Sequence, residues 1–127
     1  HGLEDALDRG NAYVEAGADI LFIEAPTSIE QMRAITRSVD VYHIANMVEG
    51  GKTPILSNQE LEDIGFKMVI YANAPLKAAV KGAKELLQYL HGHGTTAGCE
   101  HLMISMKERN EITGLPAMEE MEQKYTL

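Results

Sequence analysis

Ile20-Leu21-Phe22-Ile23-Glu24, closed by Ala25-Pro26, carries four large apolar residues in unbroken succession. A short run of this kind, without polar alternation, reads as a strand buried on both faces, as in parallel sheets covered by helices. Its flanks support that reading. Upstream, Leu3, Ala6, Leu7, Val14 and Ala16 recur near helical spacing across Gly2 to Gly17, and Gly17 suits a helix end. Downstream, Thr27 or Ser28 is placed to cap a helix with apolar positions Ile29, Met32 and Ile35, and Glu30 sits near its positive end.

The unit then repeats. Val41 to Asn46 reads as a second buried strand and Met47 to Leu56 as a loop containing Gly50, Gly51 and Pro54. Ser57 with Glu60 forms a capping box for a short helix to Ile64, ended by Gly65. Met68 to Tyr71 is a third strand and Pro75 to Leu90 a long helix. A Gly-rich connection, Gly92 to Gly98, leads to two final helices around Gly114-Leu115-Pro116. Strands alternating with helices predict right-handed crossovers and an α/β fold built on a parallel sheet. An open flavodoxin-like sheet and a barrel both satisfy this pattern. Three parallel strands leave two open apolar edges, so the expectation is part of a larger sheet or barrel.

The chain has 127 residues and a formal charge of −8, which gives no electrostatic footprint for nucleic acid or an anionic membrane. No apolar run reaches the roughly 20 residues of a spanning helix. The single cysteine, Cys99, excludes an intrachain disulfide and fits a reducing compartment, so a cytoplasmic location is expected. The first residue is His1 rather than Met, and the expectation is a segment of a longer polypeptide.

In either α/β architecture a ligand sits beyond the carboxyl ends of the strands. Glu24 and Asn46 occupy equivalent strand ends, and a carboxylate beside an amide suits a small oxygen-rich substrate; the bland alternative is that each caps a neighbouring helix. Glu49-Gly50-Gly51-Lys52-Thr53 suggests a phosphate loop, but Asn46 stands where the motif needs glycine and the next helix starts only near Ser57. His91, His93, Cys99 and His101 have the chemistry of zinc ligands without the spacing of a zinc module. His43, within a strand, reads as a hydrogen-bonded core histidine. Lys107, Glu108, Arg109 and Glu111 form a charged helix face on which Arg109 has the fork to bind a carboxylate.

Taken together, three segments resemble the isocitrate lyase and phosphoenolpyruvate mutase superfamily: Glu15 to Pro26, Ile44 to Pro54, and Met106 to Glu111 with Gly114-Leu115-Pro116. The nearest branch is the short-chain one, with 2-methylisocitrate lyase, 2,3-dimethylmalate lyase, carboxyphosphonoenolpyruvate phosphonomutase and oxaloacetate decarboxylase. The resemblance implies the C-terminal half of a (β/α)₈ barrel: its last β/α units over residues 1–98, then a helical extension over 99–127 of the kind members exchange between subunits. It implies a homo-oligomer, a dimer of dimers, and Mg²⁺ whose ligands, like the catalytic loop, lie in the first half. By the same resemblance Glu24, Asn46, Met47, Val48 and Arg109 contact a small carboxylate substrate, and Lys77 stands where methylisocitrate lyases usually carry arginine. Tyr71-Ala72-Asn73-Ala74 replaces the Tyr-Pro-Leu-Ser of many members. The function implied is Mg²⁺-dependent cleavage of a carbon–carbon bond in a 2-hydroxy di- or tricarboxylate through an enolate. Phosphonomutase or decarboxylase chemistry is the alternative, and a non-catalytic half-barrel assembly module is a third reading.

Overall fold

The computed structural model describes residues 2–125, which form two compact units, residues 2–76 and 77–125. The first unit opens with α1 (Leu3–Glu15), followed by β1 (Ile20–Leu21), α2 (Ile29–Ser38), β2 (Tyr42–Asn46), α3 (Asn58–Ile64) and β3 (Met68–Ile70). The strands form one parallel sheet in the order β1-β2-β3, with Ile20 beside Tyr42, Ile44 beside Met68 and Asn46 beside Ile70.

Helix boundaries follow local chemistry. The Ser28 hydroxyl accepts from the Gln31 N–H at 3.2 Å and starts α2. At α3 the Ser57 hydroxyl accepts from the Glu60 N–H, while the Glu60 carboxylate accepts from the Ser57 N–H at 2.8 Å. Gly65, at φ +117°, lets the Phe66 N–H return to the Leu61 carbonyl at 3.0 Å. The Thr36 hydroxyl of α2 donates to the Ile64 carbonyl at 2.7 Å, so the end of α3 is tied to its neighbour.

The core sits on one face of the sheet. Met32, Ala45, Met47, Leu61, Ile64 and Phe66 form one buried cluster, flanked by Leu56 and Val69. Each large side chain removed from water contributes roughly 1.5–3 kcal/mol. Leu21 and His43 lie on the same face; Leu21 packs against Gly10 of α1, where an added Cβ would sit 3.4 Å from its Cδ1. His43 is buried, and its Nε2 donates to the Val39 carbonyl at 3.2 Å. The expected core histidine is therefore what the structure shows.

Burial on both faces is not. Ile20, Phe22, Tyr42, Met68 and Ile70 are each at least 40% exposed. They belong to the other face, which no helix of this unit covers. The unbroken apolar run is thus half inside this chain's core and half open. β1 is also shorter than its apolar run, because pairing with β2 stops at Leu21 and His43.

The second unit contains most of α4 (Ala74–His93), a 3₁₀ turn (Glu100–Leu102), α5 (Met106–Ile112) and α6 (Leu115–Tyr125). α4 runs on to His93, three residues past the Leu90 end that the sequence predicts. Tyr89 stacks on His93 with ring centroids 4.1 Å apart, and His93 Nδ1 donates to the Tyr89 carbonyl at 2.9 Å. A local stacked pair offsets the helix cost of one glycine, about 1 kcal/mol. Ser105 and Glu108 form a second capping box at α5. No described helix is long and apolar enough to cross a membrane.

Candidate functional site

The carboxyl end of the sheet is organised by β2. Asn46 is its last residue and lies beside Ile70, whose carbonyl accepts from the Met47 N–H at 2.8 Å. That bond continues the ladder one residue past the strand and holds the Asn46 backbone rigidly. The Asn46 side chain is half-buried, and its Oδ1 is fully enclosed with no hydrogen-bond partner among the described residues. Met47 is wholly buried in the core, so its side chain and N–H both serve the fold. Val48 is half-buried, and its carbonyl accepts from the Gly51 N–H at 2.9 Å.

Beyond Leu21 the chain leaves the ladder. Ala25 has φ +54°, a left-handed conformation that costs a residue with a Cβ roughly 1–2 kcal/mol. The splayed segment and β2 enclose a cavity of about 10 Å³, lined among others by Phe22, Ala25, Asn46 and Thr53. Glu24 is exposed and lines a separate cleft of about 290 Å³ against α1, with Arg9 and Tyr13. Extending the β1–β2 register by its offset of 22 (42 − 20) sets Glu24 level with Asn46. Yet the two side chains line different cavities that share Phe22 and Ile23, rather than one common pocket.

Lys77 and Arg109 belong to the second unit. Lys77 is exposed in the first turns of α4. Arg109 is exposed on α5, and its Nη1 donates to Asn110 Oδ1 at 3.3 Å.

The remaining motifs take structural roles. The Gly50-Gly51 pair makes a tight turn: Gly50 has φ +78°, and a Cβ on Gly51 would meet the Val48 carbonyl oxygen at 2.9 Å. The loop does not run into a helix, because α3 starts at Asn58 with its own cap. Cys99 is buried and its thiol donates to the Thr96 carbonyl at 3.1 Å. Among the described residues no three His, Cys, Asp or Glu side chains gather into a group able to hold a metal ion. The Mg²⁺ implied by the resemblance therefore finds no ligand group among the described residues.

Sequence reasoning missed two features. Ala25 carries the strained turn, and the one sequence signal was its place between a strand end and Pro26. Thr53 lines the cavity beside Asn46, and its place in a glycine-rich loop drew notice only as part of a failed phosphate motif.

A family model described as phosphoenolpyruvate phosphomutase matches residues 1–91. Over 124 residues the chain is 44% identical to 2,3-dimethylmalate lyase from Eubacterium barkeri, covering 98% of this chain and 43% of that protein. It is 34% identical to the chloroplastic carboxyvinyl-carboxyphosphonate phosphorylmutase of Arabidopsis thaliana, covering 98% of this chain and 37% of that one. The crystal structure of 2,3-dimethylmalate lyase, a PEP mutase/isocitrate lyase superfamily member, superposes with a TM-score of 0.87 at 29% identity, over 98% of this chain and 43% of that one. The chain thus spans about two fifths of the length of the curated relatives it matches. The structural neighbours are TIM-barrel enzymes, which resolves the choice between an open sheet and a barrel.

Proposed function

Because the chain belongs to the phosphoenolpyruvate phosphomutase family, we propose that it supplies part of the substrate site of a lyase acting on a small 2-hydroxy dicarboxylate of the 2,3-dimethylmalate type. The observation that carries this reading is the Asn46 amide, set at the carboxyl end of β2 by the Ile70–Met47 hydrogen bond. A rigid strand end holds a donor in one place, which lowers the entropic part of the barrier for any ligand it orients. The Asn46 Nδ2 donates to a substrate carboxylate. On the family resemblance Glu24, Lys77 and Arg109 are further substrate contacts, Arg109 able to grip a carboxylate by two prongs and Lys77 by one. Met47 and Val48 serve as the backbone frame behind Asn46.

The chemistry is retro-aldol. In 2,3-dimethylmalate the bond between the hydroxyl-bearing carbon and its neighbour breaks. The hydroxyl loses its proton and its carbon becomes the keto carbon of pyruvate. The electron pair stays beside the second carboxylate as an enolate, which takes up a proton to give propionate. Fixed donors lower the barrier by meeting that charge as it develops.

The test is a chimaera in which the matched segment of the Eubacterium barkeri enzyme is replaced by this chain. The expected result is pyruvate release from 2,3-dimethylmalate. A folded chimaera that releases pyruvate neither from it nor from 2-methylisocitrate would overturn the reading, and turnover of a carboxyphosphonate instead would favour the phosphonomutase alternative. One observation favours a second reading, that of an assembly module: the bare apolar face formed by Ile20, Tyr42, Met68 and Ile70. Exposed apolar surface of this kind marks an interface.

A further inference from the structure

We propose that Thr53 is a positioning residue for the Asn46 amide, acting through a single water held between β2 and residues 22–26. The consequence for catalysis rests on the proposed lyase site, but the water site itself does not.

Three observations converge on this gap. β1 and β2 stop pairing at Leu21 and His43, and Ala25 at φ +54° turns the chain away, so a space opens between the two segments. The space is about 10 Å³, which accommodates one water. Asn46 lines this space, and its Oδ1 is enclosed with no hydrogen-bond partner among the described residues. A buried amide oxygen without a donor carries its full desolvation penalty, and a donor small enough for this space is water.

A buried water needs two to four polar partners. Among the described residues lining the cavity, Asn46 and Thr53 carry the polar side chains; the others, such as Phe22, Ile44, Met32 and Phe66, are apolar. The water donates one proton to Asn46 Oδ1 and pairs with the Thr53 hydroxyl. Main-chain groups of residues 22–26, outside the ladder, can supply a third bond. Thr53 follows two residues after the Val48–Gly51 turn, whose N–H···O bond is 2.9 Å. A substrate carboxylate only accepts, so Nδ2 faces it, and the water's bond to Oδ1 holds the amide in that plane. The glycine loop is thereby linked to the orientation of the substrate-binding amide.

Two variants of the full 127-residue chain test this: Thr53→Val, which keeps the shape and removes the hydroxyl, and Thr53→Ser, which keeps the hydroxyl. Protein–water cross-relaxation is read at the Asn46 side-chain amide, with backbone spectra confirming an unchanged fold. A long-lived water signal is expected in the parent chain and in Thr53→Ser, and its loss in Thr53→Val. In the chimaera, Thr53→Val is expected to lower kcat/KM for 2,3-dimethylmalate about tenfold, mostly through KM, with Thr53→Ser within about twofold of the parent. No signal in the parent chain, a signal that persists in Thr53→Val, or equal damage from both variants overturns the proposal. An inactive chimaera counts against the lyase reading, and the water signal then decides this inference alone.

Discussion

Two residues, Asn46 and Ala25, concentrate the cost and the use of this strand end. Replacing Asn46 with alanine in the chimaera removes a donor to a charged carboxylate, a bond of about 1.5–3 kcal/mol. At 1.36 kcal/mol per tenfold, kcat/KM should fall about 10- to 150-fold in a steady-state assay; a change under threefold would exclude the amide from substrate binding. Ala25 pays for its left-handed φ of +54° in steric crowding at Cβ. Ala25→Gly relieves that crowding but adds roughly 0.5–1 kcal/mol of chain entropy on folding, so stability should stay level or rise by up to about 1.5 kcal/mol. Ala25→Val, β-branched and ill-suited to this conformation, should lose more than about 1 kcal/mol. Urea midpoints at constant m-value decide it, and the reverse order of the two variants would mean that the strain is not real.

The helices are set by their caps. Glu60 has its carboxyl held below the ordinary value of 4.5, chiefly by the hydrogen bond from the Ser57 hydroxyl and then by the Ser57 backbone. Glu108 is likewise lowered, first by the Ser105 backbone and then by its hydroxyl. A depressed carboxyl stabilises the folded state above its unfolded pKa, and that contribution disappears as pH falls through the folded value. Ser57→Ala should therefore cost about 1 kcal/mol at neutral pH, and less as pH falls through the lowered folded value of Glu60. The Glu60 titration followed by NMR should move back toward 4.5 in the variant; a titration that does not move would mean that the box does not close in solution. α4 shows the limit of local signals. Leu76, Val80, Leu87 and Leu90 carry the helix periodicity, yet all four are exposed. Periodicity specifies a helix with an apolar side, whereas burial of that side needs a partner surface.

The first unit has the core of a β/α layer on one side of its sheet and an open apolar face on the other. Exposed faces of this size drive association. The isolated chain should sediment as species larger than its 14.0 kDa monomer, and Phe22→Lys with Ile70→Lys should shift it toward monomer. A stable, protease-resistant monomer of the parent chain would count against the assembly reading. The isolated chain should also turn over neither 2,3-dimethylmalate nor 2-methylisocitrate, because residues that act as a unit do not leave fractional activity behind. Measurable pyruvate release by the 127-residue chain alone would refute this.

Element type and order were legible in the residues because they rest on local rules. Ser28, the Ser57–Glu60 box and Gly65 mark helix ends by hydrogen bonds within four residues, and Ile20 to Ile23 and Val41 to Asn46 read as strands. The Ser105–Glu108 box is equally local, although in the sequence Glu108 stands as one of a charged face. The residues also named Asn46 as a strand-end amide. Its enclosed Oδ1, the separate clefts of Glu24 and Asn46, the strained Ala25 and the place of Thr53 were not legible. Each depends on where β1 stops pairing with β2, and that point is set by packing between segments some 20 residues apart in the chain. Capping and periodicity act over one or two turns of chain; the splay of two strands, and the cavity it leaves, exists only once distant segments have been brought side by side.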